Sequence, residues 1–272
     1  MDSFTKLITK VSQKKHICVG LDTDLNKIPQ IVKTSQNPLL EFNRIIVEAT
    51  VEEAAAYKLN FAFYENYGLE GIKSLIKTVD FIKSMNEEVL IIGDAKRGDI
   101  GNTSKMYARA IFDEYGFDCS TLAPYMGKDS LDPYFEYEDK INFVLVLTSN
   151  AGSENFEKLI LQNGVPLYKE VLQNIKSWYP PKQLGTVFGA TKIENLKNDV
   201  GDLKGTSVLV PGVGAQGGNA GAVAEIFYSA GHTNFLINSS RNIIYVTNQG
   251  DFASSAYNEL QNLNREVVNN IV

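Results

Sequence analysis

The sequence predicts an α/β fold: a (β/α)8 TIM barrel built by the whole chain, residues 1–272, as a single domain. Three observations carry this. Eight short runs rich in β-branched and aromatic residues alternate with longer segments of helical periodicity. Several of the short runs are apolar almost without interruption, as strands buried on both faces of a parallel sheet must be. The chain, 272 residues with 44% hydrophobic content, is long enough for one barrel. A doubly wound open sheet is the alternative.

In chain order, strands are expected in HICVGLD from His16, AYKLNFAFY from Ala56, VLIIGDAK from Val89 and FDCSTLAP from Phe117. They are expected again in INFVLVLTS from Ile141, LGTVFGAT from Leu184, SVLVPGVG from Ser207 and NFLINSSR from Asn234. Helices are expected between them. In LLEFNRIIVEATVEEAA, Leu39, Phe42, Ile46 and Ala49 recur at helical spacing with charges on the other side. LEGIKSLIKTVDFIKSM, KMYARAIFDEYG, PLYKEVLQNIKSWY and YNELQNLNREVVNNIV read the same way. No composition break suggests a linker.

Composition narrows the partners. The net charge is −6 and no basic stripe appears, which argues against nucleic acid. The opening MDSFTKLITKVSQKK lacks the apolar core and cleavage site of a secretion signal, and no apolar run approaches the ~18 residues of a membrane span. A cytoplasmic protein with no membrane contact is expected. Cys18 and Cys119 lie inside apolar runs and are expected to be buried and reduced. His16 and His232 precede strands 1 and 8, on the face of a barrel that serves stability. No His, Cys and carboxylate cluster has metal-ligand spacing, so no metal is expected.

In a barrel of this kind, chemistry sits at the C-terminal ends of the strands. The stretch IIGDAKRGDIGNTS ends an apolar run on Asp94, Lys96, Arg97 and Asp99, and charges there cost desolvation energy unless partnered. Strand alternation places Asp94 and Lys96 on one face, at the barrel mouth. Lys58 on the neighbouring strand extends this to an alternating chain of ammonium and carboxylate, each favouring the other's charged form. A salt-bridge network closing the barrel top is the alternative. PGVGAQGG, from Pro211 to Gly218, offers backbone N–H groups and Gln216 to an oxyanion, and NSSR after it offers Arg241, a bidentate phosphate partner. LTSN, ending at Asn150, supplies hydroxyl and amide groups suited to a polar ring or to helix capping, and Asp22 is suited to sugar hydroxyls or to a cap.

Taken together, GLD, YKLNFAFYENYG, DAKRGDIGNT, PGVGAQGG and SSR resemble orotidine 5′-phosphate decarboxylase, in the long form often called type 2. The resemblance spans Gly20 to Tyr245. It implies a homodimeric barrel without metal or organic cofactor that converts orotidine 5′-monophosphate to UMP, the last step of de novo pyrimidine synthesis. By that resemblance Lys96 protonates C6 as CO2 leaves, Asp94 lies beside the substrate carboxylate, and Lys58 contacts the ribose and Asp94. Asp99 and Thr103 reach into the partner subunit's site. Asp22 binds a ribose hydroxyl, Ser149 the pyrimidine, and Gln216 and Arg241 the phosphate, with Ser240 contributing its backbone N–H. Two positions depart from the family pattern: Ala151, where a proline often follows the strand-5 TSN, and Ser240, where shorter relatives carry glycine. The competing readings are a Mg²⁺-dependent 3-keto-gulonate-phosphate decarboxylase sharing D-x-K-x-x-D, a non-catalytic phosphate-binding barrel, and a Schiff-base aldolase using Lys96.

Overall fold

The computed structural model describes residues 1–189, 193–212 and 219–271. Eight parallel strands close into a barrel in sequence order. They are β1 (Ile17–Gly20), β2 (Ala56–Asn60), β3 (Leu90–Arg97), β4 (Cys119–Leu122), β5 (Ile141–Leu147), β6 (Leu184–Phe188), β7 (Ser207–Val210) and β8 (Phe235–Ser239). All eight expected runs contain one. The larger helices are α1 (Ser3–Ser12), α2 (Pro38–Thr50), α3 (Gly68–Met85), α4 (Gly101–Arg109), α5 (Lys128–Phe135), α6 (Leu167–Trp178), α7 (Ile193–Asp199), α8 (Ala220–Ser229) and α9 (Phe252–Asn269).

Alternation along each strand sorts the core into two bodies. Ile17 and Val19 on β1, Tyr57 and Leu59 on β2, and Ile91 on β3 belong to the cluster shared with the helices. Cys18, Ala56, Leu90, Ile92, Cys119, Phe143, Leu209 and Leu236 form the barrel interior. Each large apolar side chain so buried contributes about 1.5–3 kcal/mol. Phe143 fills the interior because β6 offers Gly185 opposite it: a Cβ there would stand 2.4 Å from the ring. Both cysteines are free and buried in this interior.

Helix α1 closes the N-terminal end of the barrel, packing Leu7 and Val11 onto the interior residues. Asp2 caps it, accepting the Thr5 N–H at 2.7 Å. Lys6 holds both carboxylate oxygens of Asp118 at 3.0 Å, and Asp118 Oδ2 also accepts the Ile91 N–H at 3.0 Å. A buried pair satisfied on both sides in this way fixes where the plug sits.

His16 and His232 are both buried on that face, as expected. His16 donates from Nδ1 to the Phe235 carbonyl at 3.0 Å, and its Nε2 accepts from the Tyr228 hydroxyl at 3.1 Å. Burial pushes its pKa down to about 4, against the pull of the Phe235 carbonyl. The folded chain therefore resists protonation that the unfolded chain accepts near pH 6.5. The stability is present above pH 6.5 and is lost as pH falls toward 4, by roughly 3 kcal/mol in all. Thermal melts of wild type and His16→Gln between pH 7.5 and 4 are expected to converge as pH falls; parallel curves would contradict this.

The structure differs from the sequence expectation at several strand ends. β2 stops at Asn60 rather than running to Tyr64, because the Asn60 side chain accepts the Ala62 N–H at 3.2 Å and opens a short helix, Phe61–Glu65. β8 ends at Ser239, and Arg241 begins a second short helix, Arg241–Ile244. The helix expected in KMYARAIFDEYG starts earlier, at Gly101, and ends in a π turn over Ala110–Glu114. Helix α5 went unforeseen because Pro133 stands inside it. No helix among the described residues is long and apolar enough to cross a membrane.

Candidate active site

The inward positions of the strands continue upward by twos, and at the C-terminal end they turn polar. Ala56 is followed by Lys58, Leu90 and Ile92 by Asp94, Cys119 by Thr121, and Leu236 by Asn238. The site is thus the last layer of the barrel interior. Lys58 Nζ lies 3.0 Å from Asp94 Oδ2 and 3.6 Å from Asp22 Oδ1, and Lys96 Nζ lies 2.6 Å from Asp94 Oδ1. The alternating chain therefore runs Asp22, Lys58, Asp94, Lys96.

Its electrostatics follow from burial and alternation. Burial pushes the Asp94 carboxyl up, but the ammonium groups of Lys58 and Lys96 outweigh it and hold Asp94 well below the usual carboxylate range. Burial works against the Lys58 charge, and the carboxylates of Asp22 and Asp94 more than restore it. The Lys58 side chain is 7% exposed and Asp94 9%, whereas Lys96 is 48% exposed. The inner three groups carry two carboxylates to one ammonium, and Lys96 completes the charge balance of the chain while presenting its ammonium to the cavity.

Backbone geometry places Lys96 there. The β3–β4 ladder pairs Gly93 with Ser120 and then Arg97 with Leu122, so Asp94, Ala95 and Lys96 together face Thr121 alone. Lys96 takes up the extra length with a left-handed backbone, φ +49°. Such a conformation costs a non-glycine residue roughly 1–2 kcal/mol, and strain of this kind gathers at functional sites. The expectation that simple alternation sets Asp94 and Lys96 on one face is corrected to this extent: both reach the mouth, but through a bulge.

A cavity of about 220 Å³ opens over these groups, walled by Lys58, Asp94, Lys96, Thr121, Ser149 and Asn238 among others. Ser149 is held beside it by Thr148, whose backbone N–H and hydroxyl both reach Glu157 at 2.7 Å. Asn238 Oδ1 on the cavity wall and Asp22 Oδ1 beside Lys58 are buried without a hydrogen-bond partner among the described residues. A larger groove of about 770 Å³ near Pro124, Tyr125 and Phe156 is apolar and includes none of the charged chain.

The remaining expected residues sit around the rim. Ser240 precedes the helix that Arg241 opens, and Arg241 is exposed and makes no ion pair among the described residues. Gln216 lies outside the described residues. Asp99 is half-buried and its carboxylate accepts the Ile100 N–H at 2.8 Å, and Thr103 is exposed on α4. Among the described contacts, neither joins Lys58, Asp94 or Lys96 within the chain. Sequence reasoning missed Thr121, Glu157 and Asn238. Thr121 and Asn238 were legible as polar residues at strand ends; Glu157 carried no signal. Among the described residues no group of three or more His, Cys, Asp and Glu is placed to hold a metal ion.

Known proteins resemble this chain. The family model described as "Orotidine 5'-phosphate decarboxylase / HUMPS family" matches residues 15–253. The chain is 43% identical over 257 residues to the orotidine 5′-phosphate decarboxylase of Flavobacterium johnsoniae, covering 94% of this chain and 93% of that protein. It is 42% identical over 263 residues to that of Porphyromonas gingivalis, covering 96% and 95%. The solved OMP decarboxylase of Leishmania donovani superposes with a TM-score of 0.79 at 30% identity, covering 98% of this chain and 99% of that one. A solved putative orotidine 5′-phosphate decarboxylase from Streptomyces avermitilis gives a TM-score of 0.83 at 28% identity, covering 100% and 96%. With a model that matches most of its length and relatives this similar end to end, the chain belongs to the orotidine 5′-phosphate decarboxylase / HUMPS family.

Proposed function

We propose that this protein decarboxylates orotidine 5′-monophosphate to uridine 5′-monophosphate, with Lys96 delivering a proton to C6 as CO2 leaves. The observation that carries this is the charged chain Asp22, Lys58, Asp94, Lys96, with its one well-exposed ammonium aimed into the cavity. Loss of CO2 leaves an electron pair on C6. A fixed ammonium stabilises that charge as it develops and then quenches it. Asp94, kept ionised by its two lysines, orients Lys96 and opposes a substrate carboxylate, a repulsion relieved when neutral CO2 departs. Arg241 and Gln216 are assigned to the phosphate, remote from the reacting carbon, where binding energy holds the ring in place. Ser149 is assigned to the pyrimidine, Asp22 to a ribose hydroxyl and the backbone N–H of Ser240 to the phosphate. No cofactor is invoked, and the cytoplasm is the proposed location.

The reading includes a homodimer in which Asp99 and Thr103 complete the partner's site. It is supported by the contacts of Asp99, whose carboxylate accepts the Ile100 N–H and, among the described contacts, pairs with no lysine of its own subunit. It is supported also by the exposed apolar side chains that neighbour them along the chain, Ile100 at 55% and Met106 at 59%. Mixing Lys96→Ala with Asp99→Ala subunits is expected to restore about a quarter of wild-type turnover, since half the dimers then hold one intact site. No recovery on mixing would rule out the shared site.

The overall reading is tested by following the ultraviolet absorbance of orotidine 5′-monophosphate with and without EDTA. Loss of substrate at the same rate in both is expected. Loss that EDTA abolishes would favour the metal-dependent sugar-phosphate chemistry, and no loss in either would overturn the proposal.

A further inference from the structure

We infer that Thr121 is a positioning residue for this reaction: its hydroxyl clamps the β3 bulge and so fixes Asp94 and Lys96 relative to each other. The inference rests on the decarboxylase reading above. Thr121 is 1% exposed. Its Oγ1 donates to Asp94 Oδ1 at 2.9 Å and accepts the Lys96 backbone N–H at 3.0 Å. The directions are not interchangeable, because an ionised carboxylate only accepts and an amide N–H only donates. Both capacities of the hydroxyl are therefore committed at once.

What the hydroxyl replaces explains its effect. Below the bulge Gly93 pairs with Ser120, and above it Arg97 pairs with Leu122 and accepts the Ala123 N–H at 2.7 Å. Between them, three residues face one, and the strand ladder supplies no partner for the N–H of Lys96. Thr121 supplies it from a side chain, at the one residue of the strand whose backbone is left-handed. The same Asp94 oxygen that receives the Thr121 proton lies 2.6 Å from Lys96 Nζ. A closed loop results: Thr121 to Asp94, Asp94 to the Lys96 ammonium, and the Lys96 backbone back to Thr121. β-Branching restricts Thr121 at χ1, which stiffens the loop further. Thr121 carries no charge and is not assigned a proton-transfer step. Its part is to keep the ammonium and the carboxylate from drifting apart or together when CO2 leaves.

The experiment compares Thr121→Val, which keeps the shape and removes both hydrogen bonds, with Thr121→Ser, which keeps the hydroxyl. T121V is expected to lower kcat by about 10- to 100-fold while KM stays within about 3-fold of wild type, as misplacement of a reacting group does. T121S is expected to retain kcat within about 3-fold. A T121V enzyme with wild-type kcat, or a T121S enzyme as impaired as T121V, would overturn the inference. If T121V does not fold, T121A takes its place as the hydroxyl-free variant with the same two outcomes. Wild-type turnover of orotidine 5′-monophosphate in the same assay keeps the two proposals apart. If wild type is inactive, the reaction assigned above fails, and crystal structures of wild type and T121V then decide the positioning role alone. Lys96 leaving its positive φ, or its Nζ moving beyond hydrogen-bond reach of Asp94, would support it; an unchanged bulge would overturn it.

Discussion

Replacing Lys96 by alanine is expected to lower turnover of orotidine 5′-monophosphate by on the order of 10⁴-fold, with the fold intact. The two halves of this expectation have separate causes. The ammonium at 48% exposure is largely solvated, so removing its contact with Asp94 costs no more than about 1 kcal/mol of stability. Asp94 keeps Lys58 at 3.0 Å and the Thr121 hydroxyl at 2.9 Å, so no buried charge is stranded. Alanine at this position inherits the same left-handed backbone, so the strain is unchanged. The reaction, by contrast, loses both the positive charge that faces the developing carbanion and the proton that quenches it. Steady-state rates together with a thermal melt check both halves, and a variant that retains turnover would refute the role given to Lys96.

Asp94→Asn is expected to damage both function and stability. The amide is close in shape but uncharged, and it leaves the 7% exposed Lys58 ammonium with only Asp22, 3.6 Å away. Breaking a buried pair costs about 3–5 kcal/mol when the remaining charge is left unpaired; with Asp22 still opposite Lys58, the low end, about 3 kcal/mol, is expected. For a chain of this size that is a fall in melting temperature of roughly 10 °C. The folded fraction is expected to lose on the order of 10³-fold in turnover, since Lys96 is no longer oriented by a carboxylate. Calorimetry and single-turnover kinetics measure the two effects independently. Wild-type stability in D94N would contradict the energetic account of the charged chain.

Much of this was readable before any coordinates, for physical reasons. Strands buried on both faces must be apolar throughout, so ICVG, LIIG and INFVLVL announced themselves, and the charges in DAKR stood out against such runs. The pairing of Lys58 with Asp94 followed from strand adjacency. The bulge did not, because it depends on the register between β3 and β4, which neither strand encodes alone. Asp22 joins Lys58 across β1 and β2, a contact set by the register of those two strands, which pairs Gly20 with Lys58, rather than by any local spacing. Asn60 turned NFAFYE into a helix through a single cap, against the β-propensity of its aromatic residues.

The central claim is that Lys96 exchanges a proton with C6 of the pyrimidine. By microscopic reversibility, an enzyme that delivers this proton also removes it from the product. Proton NMR of UMP in D2O is therefore the most direct measurement. The wild-type protein is predicted to replace the C6 hydrogen of UMP by deuterium, and Lys96→Ala to leave it in place. Exchange at equal rates with both proteins would contradict the account.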